Sequence, residues 1–369
     1  MQPNKMTAIM MLAAIGILMP SMMFGKGREK PALPDKEAYA ADDLSGSRAV
    51  QKCEKYMTDH FVFREFFTKV RTSVIKNISE PIVNDVFISS DMLLDARCCD
   101  RPSAGESAVQ TDLFASHYTG AVYFTAVPTS AGVYGERLPE YLLTNPEDKQ
   151  ISDFYEKLDN GIRRIDAFTI LKAQNENYIY YRTDTRPTGY GAYYVYRTVI
   201  QKLGFSPVSY DRFTIEHVTG DFKGNLWEKC RYRKVKPDVL DVYKCSGGAE
   251  ILECTGFTNE GVGVSMKLYD KDKLNGGDMY KMYLGEDLPF INIKTSVNND
   301  RKLLLIKDSY ADCFVQFLVQ HYSEIAIISP EHIDGGLSHF IDPDDYEQTL
   351  FLFGADSLYR SDIFKKINS

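Results

Sequence analysis

Tryptophan occurs once in these 369 residues, histidine six times, and no CxxC or CxxH pair is present. Without such pairs a structural zinc site is not expected, and neither a metal nor a cofactor is predicted. Basic residues do not prevail either: 43 Lys and Arg stand against 51 Asp and Glu, a formal net charge of −8. Nucleic acid is therefore not the expected partner, because phosphate binding draws on clustered Lys and Arg. There is no internal repeat and no low-complexity tract. The 44% hydrophobic composition excludes a disordered chain. What the chain has in excess is tyrosine, with 24 residues.

One run lacks charge, Met6 to Phe24, with Lys5 before it and Lys26, Arg28 and Lys30 after it. Its length fits either an uncleaved signal-anchor or a cleaved signal peptide. Either would put the rest outside the cytoplasmic membrane, anchored or secreted. The seven cysteines are an odd number, so at least one is free or pairs between chains. Cys98 and Cys99 are adjacent, poor geometry for a disulfide, whereas Cys245 and Cys254 could bridge a hairpin across Gly247-Gly248.

The apolar pattern predicts helices over 49–78, 103–117, 151–161, 189–203 and 311–321. Strands are expected at 84–89, 121–127, 302–307 and 325–329, and extended chain at 164–171 and 178–181. The strand–helix–strand order near the C-terminus argues for an α/β fold with a parallel sheet flanked by helices. Residues 205–290 carry short alternating runs with many Gly and Asp and read as a β-rich insertion. It is expected either to close over the Ser309 face or to serve as a partner surface. The expected organisation is residues 1–30 as address and tether, then one domain over 31–369 interrupted by 205–290.

Two segments carry chemistry. In Lys302-Leu303-Leu304-Leu305-Ile306-Lys307-Asp308-Ser309-Tyr310 a buried strand ends in Asp-Ser, and a helix is expected at once. A serine nucleophile suits that turn, because free amides there can hold an oxyanion. Asp and Ser are equally favoured as helix caps. In Tyr180-Tyr181-Arg182-Thr183-Asp184-Thr185-Arg186-Pro187-Thr188-Gly189 a strand enters a polar turn and then a helix. Tyr178, Tyr180, Tyr181, Tyr190, Tyr193, Tyr194 and Tyr196 crowd around it. Tyrosines offer flat faces with polar tips, so Tyr190 and Tyr194 are candidate sugar-binding residues and Asp308 a further substrate-binding candidate.

These segments, with Thr58-Asp59-His60-Phe61, Ala126-Val127-Pro128-Thr129 and Tyr346 to Leu352, resemble the DHHW proteins. Those are envelope proteins related to alginate O-acetyltransferases and, more distantly, to SGNH hydrolases. The resemblance implies an SGNH-hydrolase-like sheet and a serine acyl-transfer site, with Ser309 as nucleophile and Asp184 as the acid that orients a base. The family's base histidine falls on Arg186 and its tryptophan on Pro187. Arginine stays protonated, so it cannot act as a general base. Three functions follow as expectations. The first is a catalytically impaired protein that binds envelope polysaccharide or supports its modification by acyl-transfer machinery. The second is an active serine O-acyl esterase or O-acetyltransferase with a relocated base. The third is a non-catalytic envelope scaffold. Arg186 is expected either to pair with Asp184 or to bind a carboxylate or phosphate. Among the histidines, His332 could lie on the same sheet edge as Ser309, while His321 lies too far along its helix.

Overall fold

The computed structural model describes residues 81–99, 101, 103–285 and 287–368. The apolar run Met6 to Phe24 and the helix expected over 49–78 lie outside them. Among the described residues, no helix is long and apolar enough to cross a membrane. These residues form a mixed α/β unit around an eight-stranded sheet.

A small three-stranded sheet comes first: β1 (Ile82–Val83), β2 (Val86–Ile88) and β3 (Leu93–Asp95). The main sheet begins with β4 (Ala121–Val127), which pairs in parallel with β5 (Arg163–Asp166) on one side. On its other side, β13 (Gln348–Gly354), β11 (Lys302–Lys307) and β12 (Glu324–Ile328) continue the sheet in parallel. Three strands then extend it antiparallel: β10 (Phe290–Thr295), β8 (Ile251–Phe257) and β9 (Gly263–Ser265).

The expected all-parallel sheet is thus corrected to a mostly parallel one. Residues 205–290 divide between two places. β6 (Phe213–Phe222) and β7 (Asp238–Cys245) form a separate antiparallel pair, whereas β8 and β9 are the sheet's own edge. Cys245 and Cys254 are both free, so the hairpin disulfide does not form. Cys98 and Cys99 are also free and buried, with Sγ atoms 3.6 Å apart.

Continuous apolar runs make the central strands because both faces are covered. Successive residues of β11 alternate between two cores: Leu303 and Leu305 join one, Leu304 and Ile306 the other. The first core packs α5 (Gly189–Lys202) through Val195, Tyr196, Val199 and Ile200, and α7 (Val315–Leu318) through Phe317. The second takes α1 (Gly105–His117) through Ala108 and Phe114, α3 (Glu147–Lys157) through Ile151 and Phe154, and α8 (Ser361–Lys365). The remaining helices are α2 (Ser130–Val133), α4 (Phe168–Ala173) and α6 (Asn225–Cys230).

Several expected elements differ: the helix expected over 151–161 is α3 at Glu147–Lys157, and the extended chain expected at 178–181 holds one bridge residue, Tyr180. Residues 164–171 do not stay extended, because the Asp166 carboxylate accepts the Thr169 N–H (3.0 Å) and starts α4. The long helix expected over 311–321 is instead a 3-10 turn at Ser309–Ala311 followed by the single turn of α7. Within it, the Gln316 side chain donates to the Cys313 carbonyl and accepts the Tyr243 N–H.

Candidate active site around Ser309

β11 lies between β13 and β12, so the chain leaves its C-terminal end at the place where the strand order turns both ways. Such a point opens a crevice outside the strand ends. Lys307 and Asp308 are buried there, Tyr310 is buried, and Ser309 alone is exposed. Asp308 caps the short turn: its Oδ1 accepts the Tyr310 N–H at 2.9 Å and its Oδ2 the Gly354 N–H at 2.8 Å. It thereby ties the end of β11 to the end of β13. Burial and the nearby Asp356 push the Asp308 carboxyl up to about 7, against the pull of those N–H groups. One of the amides expected to face an oxyanion, that of Tyr310, is donated to Asp308.

The second turn folds at Tyr180 and Pro187, which form a bridge. Asp238, the first residue of β7, is buried and receives the N–H groups of Arg182 and Thr183 and the Tyr178 hydroxyl. Beyond this clamp, Asp184 is fully buried and accepts four donations: Arg186 N–H (2.9 Å), Arg186 Nε (2.8 Å), Arg186 Nη2 (2.7 Å) and Asn225 N–H (3.0 Å). Burial raises the Asp184 carboxyl, but the Arg186 charge and these hydrogen bonds prevail and hold it below the usual carboxylate range. The Arg186 guanidinium also lies over the Tyr280 ring, 3.6 Å from its centroid. Of the two expectations for Arg186, the pairing with Asp184 is what forms. The Tyr310 hydroxyl, 3.3 Å from the Thr185 carbonyl, joins the two turns.

A cleft enclosing about 550 Å³ brings the turns together, with Arg186, Lys307, Asp308, Ser309, Asp312 and His332 on its walls. Residues between 278 and 285, with Asp287, also line it, so this part of the segment read as an insertion does face Ser309. Lys307 Nζ pairs with Asp312 Oδ1 at 2.5 Å, with both side chains largely buried. His332 is half-buried; its Nε2 lies 3.9 Å from Asp287 Oδ1, and burial pulls the imidazole below its ordinary value.

The other described histidines are engaged or lie elsewhere. His321 is buried with Nε2 2.6 Å from the Tyr196 hydroxyl, and burial lowers it to about 4. His217 pairs with Asp241 on the exposed face of the β6–β7 hairpin. Tyr190 and Tyr194 do not join Ser309. Their hydroxyls meet at 2.9 Å over a different hollow, bounded by Tyr210 and Pro207, because α5 turns their face away from the cleft.

Sequence reasoning missed Lys307, Asp312 and Tyr280. A lysine closing an apolar strand was a signal for the first. For Tyr280, which comes from a 3-10 turn at Met279–Met282, there was none. Among the described residues no His, Cys, Asp and Glu cluster could hold a metal ion.

Curated proteins supply no match to this chain. Solved structures do. A DHHW family protein from Eubacterium siraeum is 22% identical, with a TM-score of 0.66 over 79% of this chain and 98% of that one. PatB1 from Bacillus cereus, solved with a sulfonyl adduct, is 17% identical with a TM-score of 0.63, over 76% and 98% of the two chains. The O-acetyltransferase domain of Pseudomonas putida AlgJ is 14% identical at a TM-score of 0.45, over 74% and 92%. At these identities the first two speak to the fold. The DHHW protein family model matches residues 117–328, more than half of the sequence, and the chain belongs to that family.

Proposed function

We propose that this DHHW protein carries an SGNH-hydrolase-like serine site impaired in the family's proton relay, and that it binds envelope polysaccharide or supports its acyl modification. Residues 31–369 are read as one such domain, held at or beyond the membrane by Met6 to Phe24. The observation that carries the reading is the two-pronged bond between Arg186 and Asp184. Where relatives place a proton acceptor, this chain places a permanent cation, and the acid that would orient the acceptor is saturated by it. Losing a general base costs on the order of 10²–10⁴-fold in rate.

One observation favours a second reading: His332 shares the cleft with Ser309. A lowered imidazole is neutral near pH 7 and able to accept a proton. In that case Ser309 Oγ attacks an acyl carbonyl while its proton passes to His332. The alcohol then leaves with that proton, and water or a sugar hydroxyl takes the acyl group. The chain would then be a serine O-acyl esterase or O-acetyltransferase.

Acetyl-ester turnover and fluorophosphonate labelling of wild type, Ser309→Ala, Arg186→His and His332→Gln separate the two. The impaired reading expects wild-type turnover at the Ser309→Ala background. Turnover well above that background, abolished by both Ser309→Ala and His332→Gln, overturns it in favour of the relocated base.

A further inference from the structure

Tyr190, Tyr193, Tyr194 and Arg197 follow helical spacing on one face of α5. They border a hollow of about 640 Å³ whose opposite wall is Pro207 to Tyr210. A second hollow of about 1050 Å³ adjoins it, sharing Pro207, Val208 and Ser209 and reaching Arg212 and the Gly247-Gly248 turn. None of these residues borders the Ser309 cleft.

The strip that the hollows share, Pro207 to Ser209, is held firmly. Tyr193 donates its hydroxyl to the Val208 carbonyl (3.0 Å), and the Val208 N–H donates to the Tyr196 hydroxyl (2.7 Å). The Gly247-Gly248 turn is fixed by Gln320, whose Oε1 accepts the Ala249 N–H at 2.8 Å. A Cβ on Gly248 would meet that Oε1 at 2.2 Å. Tyr190 and Tyr194 are only partly buried, and Tyr210 packs edge-on against Tyr190 at 5.2 Å.

Charge sets the groove apart. In a chain of net charge −8, both hollows are lined without a single carboxylate, while each presents an exposed arginine, Arg197 and Arg212. Asp211 lines neither hollow, but its carboxylate accepts a hydrogen bond from Ser209 of the shared strip and feels the Arg212 charge, so of the two arginines it is Arg212 that has an acid beside it. Tyrosine faces suit sugar rings and guanidinium forks suit acid groups.

We propose that the two hollows form one groove that binds an anionic glycan, with sugar rings on Tyr190 and Tyr194 and carboxylate or phosphate groups on Arg197 and Arg212. The inference rests on the polysaccharide reading above and deepens it: the acid on the polymer is what this surface selects.

Calorimetric titration of the full chain with hexagalacturonate, with its fully methyl-esterified form and with a glycerol-phosphate polymer tests this. At least one charged probe should bind and the neutral ester should bind far more weakly. Arg197→Gln and Arg212→Gln should each weaken binding roughly three- to tenfold, with the effect shrinking in high salt. Tyr194→Ala should weaken it further. No binding by either charged probe, equal binding by the ester, or affinity unchanged in both arginine variants overturns the proposal. A preference for the uronate over the glycerol phosphate, or the reverse, assigns the acid. Fluorophosphonate labelling of wild-type Ser309, read without any glycan present, reports the cleft separately from the groove. Failure of the groove therefore leaves the cleft reading standing, and failure of the cleft leaves the groove.

Discussion

Replacing Arg186 by methionine tests whether the turn is a locked ion pair. The substitution keeps the backbone N–H at 186 and the Asn225 N–H, but removes two of the four donors to a carboxylate that is fully buried. Breaking one partner out of a buried pair costs about 3–5 kcal/mol, because the remaining charge has no water to return to. The Tyr280 contact adds to this, by up to ~2 kcal/mol where it is desolvated. The two losses overlap, so about 4 kcal/mol is expected in urea denaturation at pH 7.

The pH dependence carries the sharper signature. In wild type the Asp184 carboxyl is held below its unfolded value of about 3.9. Its contribution is therefore fully present above that value and is lost as pH falls through the folded one. In Arg186→Met only the two backbone N–H donors still oppose burial, so the carboxyl rises and acid relieves the variant. The deficit should shrink steadily from pH 7 towards pH 4, and Asp184→Asn with Arg186→Met should recover about half of it. A loss under ~1 kcal/mol at pH 7, or one that grows in acid, would refute the locked pair.

Gly224 presses on the same pair: a Cβ there would sit 2.2 Å from Asp184 Oδ2 and 2.3 Å from its Cβ. Gly224→Ala should cost about 1–3 kcal/mol by overpacking, whereas Gly220→Ala, with nothing within 4 Å, should be tolerated in the same thermal melts. Asp308 behaves oppositely to Asp184. Its carboxyl is raised to about 7 in the fold, so its favourable contribution is present below pH ~4 and is lost as pH rises towards 7. Stability curves for wild type and Asp308→Asn should converge or cross over that window, at up to about 1.4 kcal/mol per pH unit; parallel curves would exclude the raised carboxyl.

The sequence made the parallel core legible because burial on both faces leaves no alternation to misread. Ala121–Val127 and Lys302–Lys307 are strands with those bounds, and α5 spans Gly189–Lys202 as its spacing predicts. Ser309 could be singled out because it follows an apolar strand in a short polar turn, and Asp184 and Arg186 through the resemblance to the DHHW motif. What could not be read was pairing at long range. Ile251–Phe257 looks like any short strand, and only its partner Phe290–Thr295 makes it part of the main sheet. The tyrosines around α5 shared one stretch of sequence, yet helical rotation sends Tyr190 and Tyr194 to a surface that Ser309 does not share. The cleft lining between 278 and 285 reaches the serine with no local pattern to announce it.

Asp238 has a consequence for the order of events in folding. The turn bearing Asp184 is adjacent in sequence to its own helix, α5, but the carboxylate that receives its Arg182 and Thr183 amides arrives 55 and more residues later. Ser309 comes later still, and the Thr185–Tyr310 contact spans 125 residues. Closing such loops is slow, and contacts of this kind form after the local ones. The cleft is therefore a late product of folding, assembled only once β7 and β11 have both docked.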